Sequence, residues 1–246
     1  MKYMGSKNRI AKHILPIILK DRKEGQWYVE PFVGGANMID KVTGNRIGAD
    51  FNESLMMCMN ELSNGWIPPN FITREEYRDA REKNRSGCLS PLIGYIGICG
   101  SYGGRWFDGG YAGISKTRQG KERNYPLEAF ENTMKQAPKL KGCIFKHSNY
   151  KYLSIPDNSI IYCDPEYKGT KQYKKAKESG FSSDEHWQWC RDKANQGHKV
   201  FISEYNAPSD FICVWSQEVR SSLSANGKIG KSKKSIEKLF IHESQA

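Results

Sequence analysis

The sequence predicts an α/β fold, a mostly parallel sheet with helices on both faces, interrupted by an inserted and mainly helical module. Two observations point to it. An apolar run at 27–33, WYVEPFV, meets the pair Gly34-Gly35, and RIGADF at 46–51 again has the pattern of a buried strand and closes on an acid. Strand, glycine turn, short helix and strand is the order expected of parallel neighbours joined by a crossover. The second observation is a change of texture over 66–142, where charged helical patterns and glycine take over before apolar runs return. The expected division is a core of 1–65 and 143–246 with residues 66–142 inserted into it.

The elements follow in order. KNRIAKHILPIILK at 7–20 has apolar positions at helical spacing, and Pro16 should kink or shorten that helix. A short helix is expected from Ala36, and ESLMMCMNELS at 53–63 is helical in pattern, closed by Gly65 and Pro68-Pro69. Within the insertion TREEYRDAREKNR has the pattern of a charged helix. GYIGICGSYGGRWFDGGYAG at 94–113 holds eight glycines in twenty residues, so regular structure is not expected throughout it. Strands are predicted at 143–148, 159–165 and 199–205. Between the last two, SSDEHWQWCRDKANQG should be a helix with Ser182 or Ser183 as N-cap and Gly197 as its stop. ICVWSQEV at 212–219 and EKLFIH at 237–242 complete the set, joined by a loop rich in Gly, Ser and Lys.

Size and composition bound the function. A chain of 246 residues suits one large domain or a core with an insertion, and 38% hydrophobic with 12% aromatic residues excludes a disordered chain. Lys plus Arg less Asp plus Glu is 38 − 27 = +11, which favours a polyanionic partner, nucleic acid before a membrane surface. No apolar run approaches the length of a membrane span, and MKYMGSKNRI is polar and basic, so a cytoplasmic location is expected. The seven cysteines (Cys58, Cys88, Cys99, Cys143, Cys163, Cys190, Cys213) form no CxxC pair and are expected as reduced thiols. His13, His147, His186, His198 and His242 are far apart without zinc-ligand spacing, and no metal site is expected.

Two motifs carry chemistry. In EPFVGGAN at 30–37 the glycines after a strand let the backbone approach a ligand closely. Asp50, at the carboxyl end of the next strand, can accept both hydroxyls of a ribose; a plain tight turn and a helix N-cap are the alternatives. In DPEY, Asp164 to Tyr167, a carboxylate, a backbone carbonyl and an aromatic ring surround one small volume directly after the strand SIIYC. A planar amine fits it, its two N–H groups bonded to the acceptors and its face on the ring. A strand-ending turn with an exposed tyrosine is the alternative.

KYMGSK at 2–7, EPFVGGAN, GADFN at 48–52, the SYGGRWF and GGYAG segment, IIYCDPEY at 160–167 and EKLFIH, in that order, resemble the Dam-like (D12 class) DNA adenine N6-methyltransferases in their alpha motif arrangement. The resemblance spans nearly the whole chain. It implies the S-adenosylmethionine-dependent methyltransferase fold, S-adenosylmethionine as cofactor, and double-stranded DNA as partner, with no membrane; a cognate restriction endonuclease is compatible with it. Tyr3, Lys7, Glu30, Phe32, Gly34, Gly35, Asp50 and Phe51, with Asp164, match the cofactor positions. Asp164, Pro165 and Tyr167 match the catalytic DPPY motif, whose second proline is here Glu166. That departure leaves open a DNA-binding relative without transfer, and an RNA adenine methyltransferase is a further alternative.

The chemistry behind the motif is positional. The N6 lone pair of adenine is delocalised into its ring, so bonds from N6–H to Asp164 and to the Pro165 carbonyl would turn that lone pair toward the methyl sulfonium. The base must leave the duplex to reach the pocket, and Tyr167 would stack on it. Residues 105–151 hold ten Lys or Arg against four Asp or Glu, and 166–181 hold five against two, so both runs offer phosphate contacts. Ser101, Tyr102, Arg105, Trp106, Lys168 and Lys171 are the expected DNA-contacting residues.

Overall fold

The computed structural model describes residues 1–116, 119–167, 180–220 and 234–246. By contact the chain divides into two compact units, one of Met1–Lys12 and Trp27–Ser154 and one of His13–Gln26 and Ile155–Ala246. The first helix, α1 (Ala11–Ile18), runs from the one stretch of chain into the other with Pro16 inside it.

In the first unit β1 (Tyr28–Glu30) pairs in parallel with β2 (Arg46–Asp50). The chain then forms α2 (Glu53–Ser63), α3 (Arg74–Arg85) and α4 (Pro91–Cys99). A small antiparallel pair, β3 (Ile114–Lys116) with β4 (Glu122–Asn124), precedes α5 (Tyr125–Leu140) and β5 (Cys143–His147), which pairs in parallel with β2. The order β5-β2-β1 puts β2 between two neighbours, and its first four residues are buried. The predicted strand at 27–33 is only three residues long. Likewise the helix expected from Ala36 is reduced to a single 3-10 turn, Ile39–Lys41, because Ala36 itself takes φ 56°, a left-handed conformation that no α-helix continues through. α3 starts where a Thr73–Glu76 capping box satisfies its first amides, and α5 starts at the Asn124 cap with Pro126 in its first turn.

α4 occupies only the first part of the glycine-rich stretch, which is not regular throughout. A Cβ on Gly94 would stand 2.0 Å from the Ser54 carbonyl oxygen of α2, and one on Gly97 would meet the Trp106 ring at 2.7 Å. Glycine is thus the residue that lets α4 lie backbone to backbone on α2, and the buried apolar surface of Ile93, Tyr95, Ile96 and Ile98 outweighs its low helix propensity.

The second unit orders its strands β6-β7-β9-β8: β6 (Ile160–Cys163), β7 (Lys199–Glu204), β8 (Phe211–Arg220) and β9 (Lys234–His242). β6 and β7 are parallel, whereas β9 is antiparallel to both β7 and β8. Between β6 and β7 runs α6 (Ser183–Asn195), capped by Ser182 and followed by Gly197 at φ 89°. Trp187 anchors it, its ring 4.6 Å from that of Phe211. The seven strands of these two sets are mostly parallel and flanked by helices, the α/β fold expected from the sequence. No helix among the described residues is long and apolar enough to cross a membrane.

Candidate active site

Asp50 ends β2 and ties two segments together. Its Oδ2 accepts the Gly34 amide at 3.1 Å and its Oδ1 the Asn52 amide at 2.9 Å. Asn52, not Asp50, is the N-cap of α2, its side chain accepting the Leu55 amide, so capping does not account for the acid. Gly34 turns at φ 47°, and Tyr3 lies on the turn: a Cβ on Gly34 would come within 2.7 Å of the Tyr3 ring and one on Gly35 within 2.6 Å of its Cβ. Four expected cofactor residues, Tyr3, Gly34, Gly35 and Asp50, thereby meet in one place.

The other expected cofactor residues are placed as follows. Phe51 is 39% exposed beside Asp50, with its ring edge 6.1 Å from His147. Phe32 packs at 5.2 Å on Tyr150. The Lys7 ammonium donates to the Gly5 carbonyl at 3.3 Å. Glu30 is buried and accepts the Tyr28 hydroxyl at 2.8 Å.

The catalytic motif lies in the second unit, where the chain leaves β6. Asp164 and Glu166 are half-buried, and Pro165 and Tyr167 are buried. The Tyr167 hydroxyl donates to Glu237 Oε2 at 2.7 Å, and its ring stands edge-on to Tyr205 at 4.6 Å. Burial first, and then the Asp164 and Glu237 carboxylates, push the phenol well above its ordinary pKa, so it stays protonated. Glu237 on β9 and Tyr205 after β7 were not singled out from the sequence; they reach the motif only through strand pairing, and no local pattern marks them. A cavity of about 330 Å³ opens beside Tyr205, lined also by Asp184, Trp187, Glu204, Asn206 and neighbours.

Ser101 is 3% exposed, its hydroxyl donating to the Gly97 carbonyl at 2.8 Å and accepting the Phe107 amide at 3.1 Å, so in this structure it braces a turn. The glycine-rich backbone is closely packed at two points: a Cβ on Gly104 would stand 2.5 Å from the Lys2 carbonyl oxygen, and one on Gly109 would stand 2.1 Å from that of Tyr102, whereas Gly110 faces open space. Trp106 is half-buried with its ring 5.2 Å from Phe107, and Arg105 pairs with Asp108 at 2.8 Å. Tyr102 is 51% exposed and is joined by residues the sequence did not single out: the Lys2 ammonium lies 5.8 Å from its ring and 5.3 Å from that of Tyr125, and the Arg123 guanidinium lies 4.6 Å from Tyr125. Cations interleaved with aromatic rings suit a phosphate and base surface. Lys168 and Lys171 lie outside the described residues.

Residues 3–87 match the family model of the D12 class N6 adenine-specific DNA methyltransferases. None of the curated proteins matches the chain. The matched stretch contains Tyr3, the glycine turn and Asp50, and it supports the likeness to Dam-like adenine methyltransferases carried by the motifs.

Proposed function

We propose that this relative of the D12 class N6 adenine-specific DNA methyltransferases moves the methyl group of S-adenosylmethionine to N6 of an adenine flipped out of double-stranded DNA. The observation that carries the reading is that the family match falls on the glycine turn and on the carboxylate bonded to it. The turn supports this reading, since Tyr3, Gly34, Gly35 and Asp50 meet there and the Asp50 carboxylate stands at the end of its strand, bonded to the Gly34 amide. S-adenosylmethionine supplies an electrophilic methyl on a sulfonium. Asp50 would hold its ribose hydroxyls, Phe51 and Phe32 its apolar parts, and Lys7 its carboxylate.

The remaining work belongs to DPEY. Asp164 accepts one N6–H bond and the Pro165 carbonyl the other, which aims the lone pair and retains the amine while it gains positive charge, a charge then removed by loss of one N6 proton to water. Glu166 is tolerated because the motif takes a backbone carbonyl from Pro165 and asks nothing of the following side chain. Stacking of Tyr167 on the base requires its ring to leave the present contact with Tyr205 and Glu237; the cavity beside Tyr205 is large enough for a purine. Residues 66–142 serve target recognition in this reading, with Tyr102, Arg105 and Trp106 joined by Lys2, Arg123 and Tyr125.

Transfer of labelled methyl from S-adenosylmethionine to a panel of duplex DNA and RNA tests it. Incorporation into DNA is expected. Incorporation into RNA alone would replace the substrate class, and DNA binding without incorporation into either would make the chain a binding relative.

A further inference from the structure

Beyond the proposed transfer site, the fold gathers a second group of chemically distinctive side chains. Cys163 is the last residue of β6, and His186 and Cys190 stand four residues apart on one face of α6. Cys190 Sγ and His186 Nε2 are 3.5 Å apart, and the donor atoms of all three residues lie within 4.8 Å of one another. Their exposures are 0% for Cys163, 1% for His186 and 0% for Cys190. We infer that Cys163, His186 and Cys190 form a site for one thiophilic d10 cation, zinc or copper(I).

Geometry is the first argument. With Zn–S near 2.3 Å and Zn–N near 2.0 to 2.1 Å, a nitrogen and a sulfur at the tetrahedral angle stand about 3.6 Å apart and two sulfurs about 3.8 Å. The His186–Cys190 pair already has that spacing, and the rest of the set needs at most about 1 Å of closure. Donor type is the second argument. Two sulfurs and an imidazole select soft and borderline ions over magnesium or calcium, which take oxygen. Charge is the third. Zinc entering as Zn²⁺ displaces one proton from each thiol, and two thiolates with a neutral imidazole leave the site uncharged, which a buried position demands. Aromatic rings complete the surroundings, Phe181 at 5.6 Å and Trp189 stacked at 6.1 Å on the imidazole. The two ions differ in that zinc calls for a fourth donor, whereas three soft donors satisfy copper(I).

An occupied site would pin the end of β6 to α6, one residue before Asp164. The absence of metal-ligand spacing led to no metal being expected from the sequence. Half of the signal was local, since HWQWC at 186–190 sets His and Cys one helical turn apart, but Cys163 joins them only through the fold.

The test uses the full chain carrying Cys88→Ser and Cys213→Ser, because those two thiols are exposed and bind ions indiscriminately. It is loaded anaerobically with zinc or with copper(I) and assayed for Tm and released protons, then desalted and assayed for metal. One equivalent retained after desalting is expected, with about two protons released per zinc or one per copper(I), and before desalting a Tm raised by roughly 5 to 10 °C with free ion at a hundredfold excess over Kd. Retention of zinc identifies zinc, and retention of copper(I) alone identifies copper. Retention should weaken at least tenfold when Cys190→Ser is added. No retained ion, an unchanged Tm, or one equivalent kept by a folded Cys190→Ser protein overturns the site; should that variant not fold, stoichiometry and Tm in the parent decide alone.

Discussion

Asp50 separates what a single side chain does for the fold from what it does for a ligand. It holds the Gly34 and Asn52 amides, and the proposed ribose bonds would add two more acceptor roles. Charged hydrogen bonds contribute about 1.5 to 3 kcal/mol each, so Asp50→Ala should weaken S-adenosylmethionine roughly tenfold or more by calorimetry. Unchanged affinity in a folded variant would remove Asp50 from the site. Glu166 offers a second test at this scale. A proline there stiffens the loop that positions the Pro165 carbonyl, and misplacement of about 1 Å can cost about a hundredfold in rate. Glu166→Pro is therefore expected to preserve or raise kcat, and a large loss would show that the carboxylate itself takes part. Asp50 could be singled out from the sequence because it closes an apolar strand pattern after the glycine pair. Glu237 and Tyr125 were not, since their contacts with Tyr167 and Lys2 join segments that are far apart in the sequence.

At the scale of elements, glycine divides what was legible from what was not. The apolar pattern of ESLMMCMNELS with its Gly65 stop made α2 readable, and the Ser182 cap with the Gly197 stop made α6 readable. α4 was hidden, because its glycines read as breakers while the fold uses them for contact with α2. Gly94→Ala should therefore destabilise despite alanine's better propensity. Its methyl group would meet a backbone oxygen that cannot swing aside, a cost of about 1 to 3 kcal/mol, or a Tm lower by roughly 3 to 10 °C. A Tm at or above that of the parent would contradict the close approach.

The second unit has its own check in the Arg191–Asp210 pair, whose Nη2–Oδ1 bond is 2.9 Å. Hydrogen bonding to Arg191 is the main cause that holds the Asp210 carboxyl down at about 2 from its ordinary 3.8. A depressed folded-state pKa contributes stability that is present above the unfolded value and lost as pH falls through the folded one. The Tm gap between wild type and Asp210→Asn should thus hold at neutral pH and close between roughly pH 4 and pH 2. A gap that persists unchanged at the acid end would assign the effect to packing.

For the molecule as a whole, the charge of +11 is an argument about partners. A protein that neutralises about six phosphates loses on the order of a thousandfold in DNA affinity between 50 and 200 mM salt, and a steep salt dependence of that kind is expected in a filter-binding or anisotropy titration. A nearly flat dependence would count against the basic surface as a DNA track. The α/β class and the motif order were legible because both rest on patterns a few residues long. The packing of the glycine-rich segment on Lys2 and Tyr102 was not, because it depends on backbone approaches that sequence does not encode locally. The central claim is adenine N6 transfer through the Asp164 motif, and mass spectrometry of nucleosides from DNA treated with the protein and S-adenosylmethionine addresses it most directly. N6-methyladenine is expected from wild type and none from Asp164→Ala; full activity in Asp164→Ala, or no N6-methyladenine from wild type on any DNA, would contradict the account.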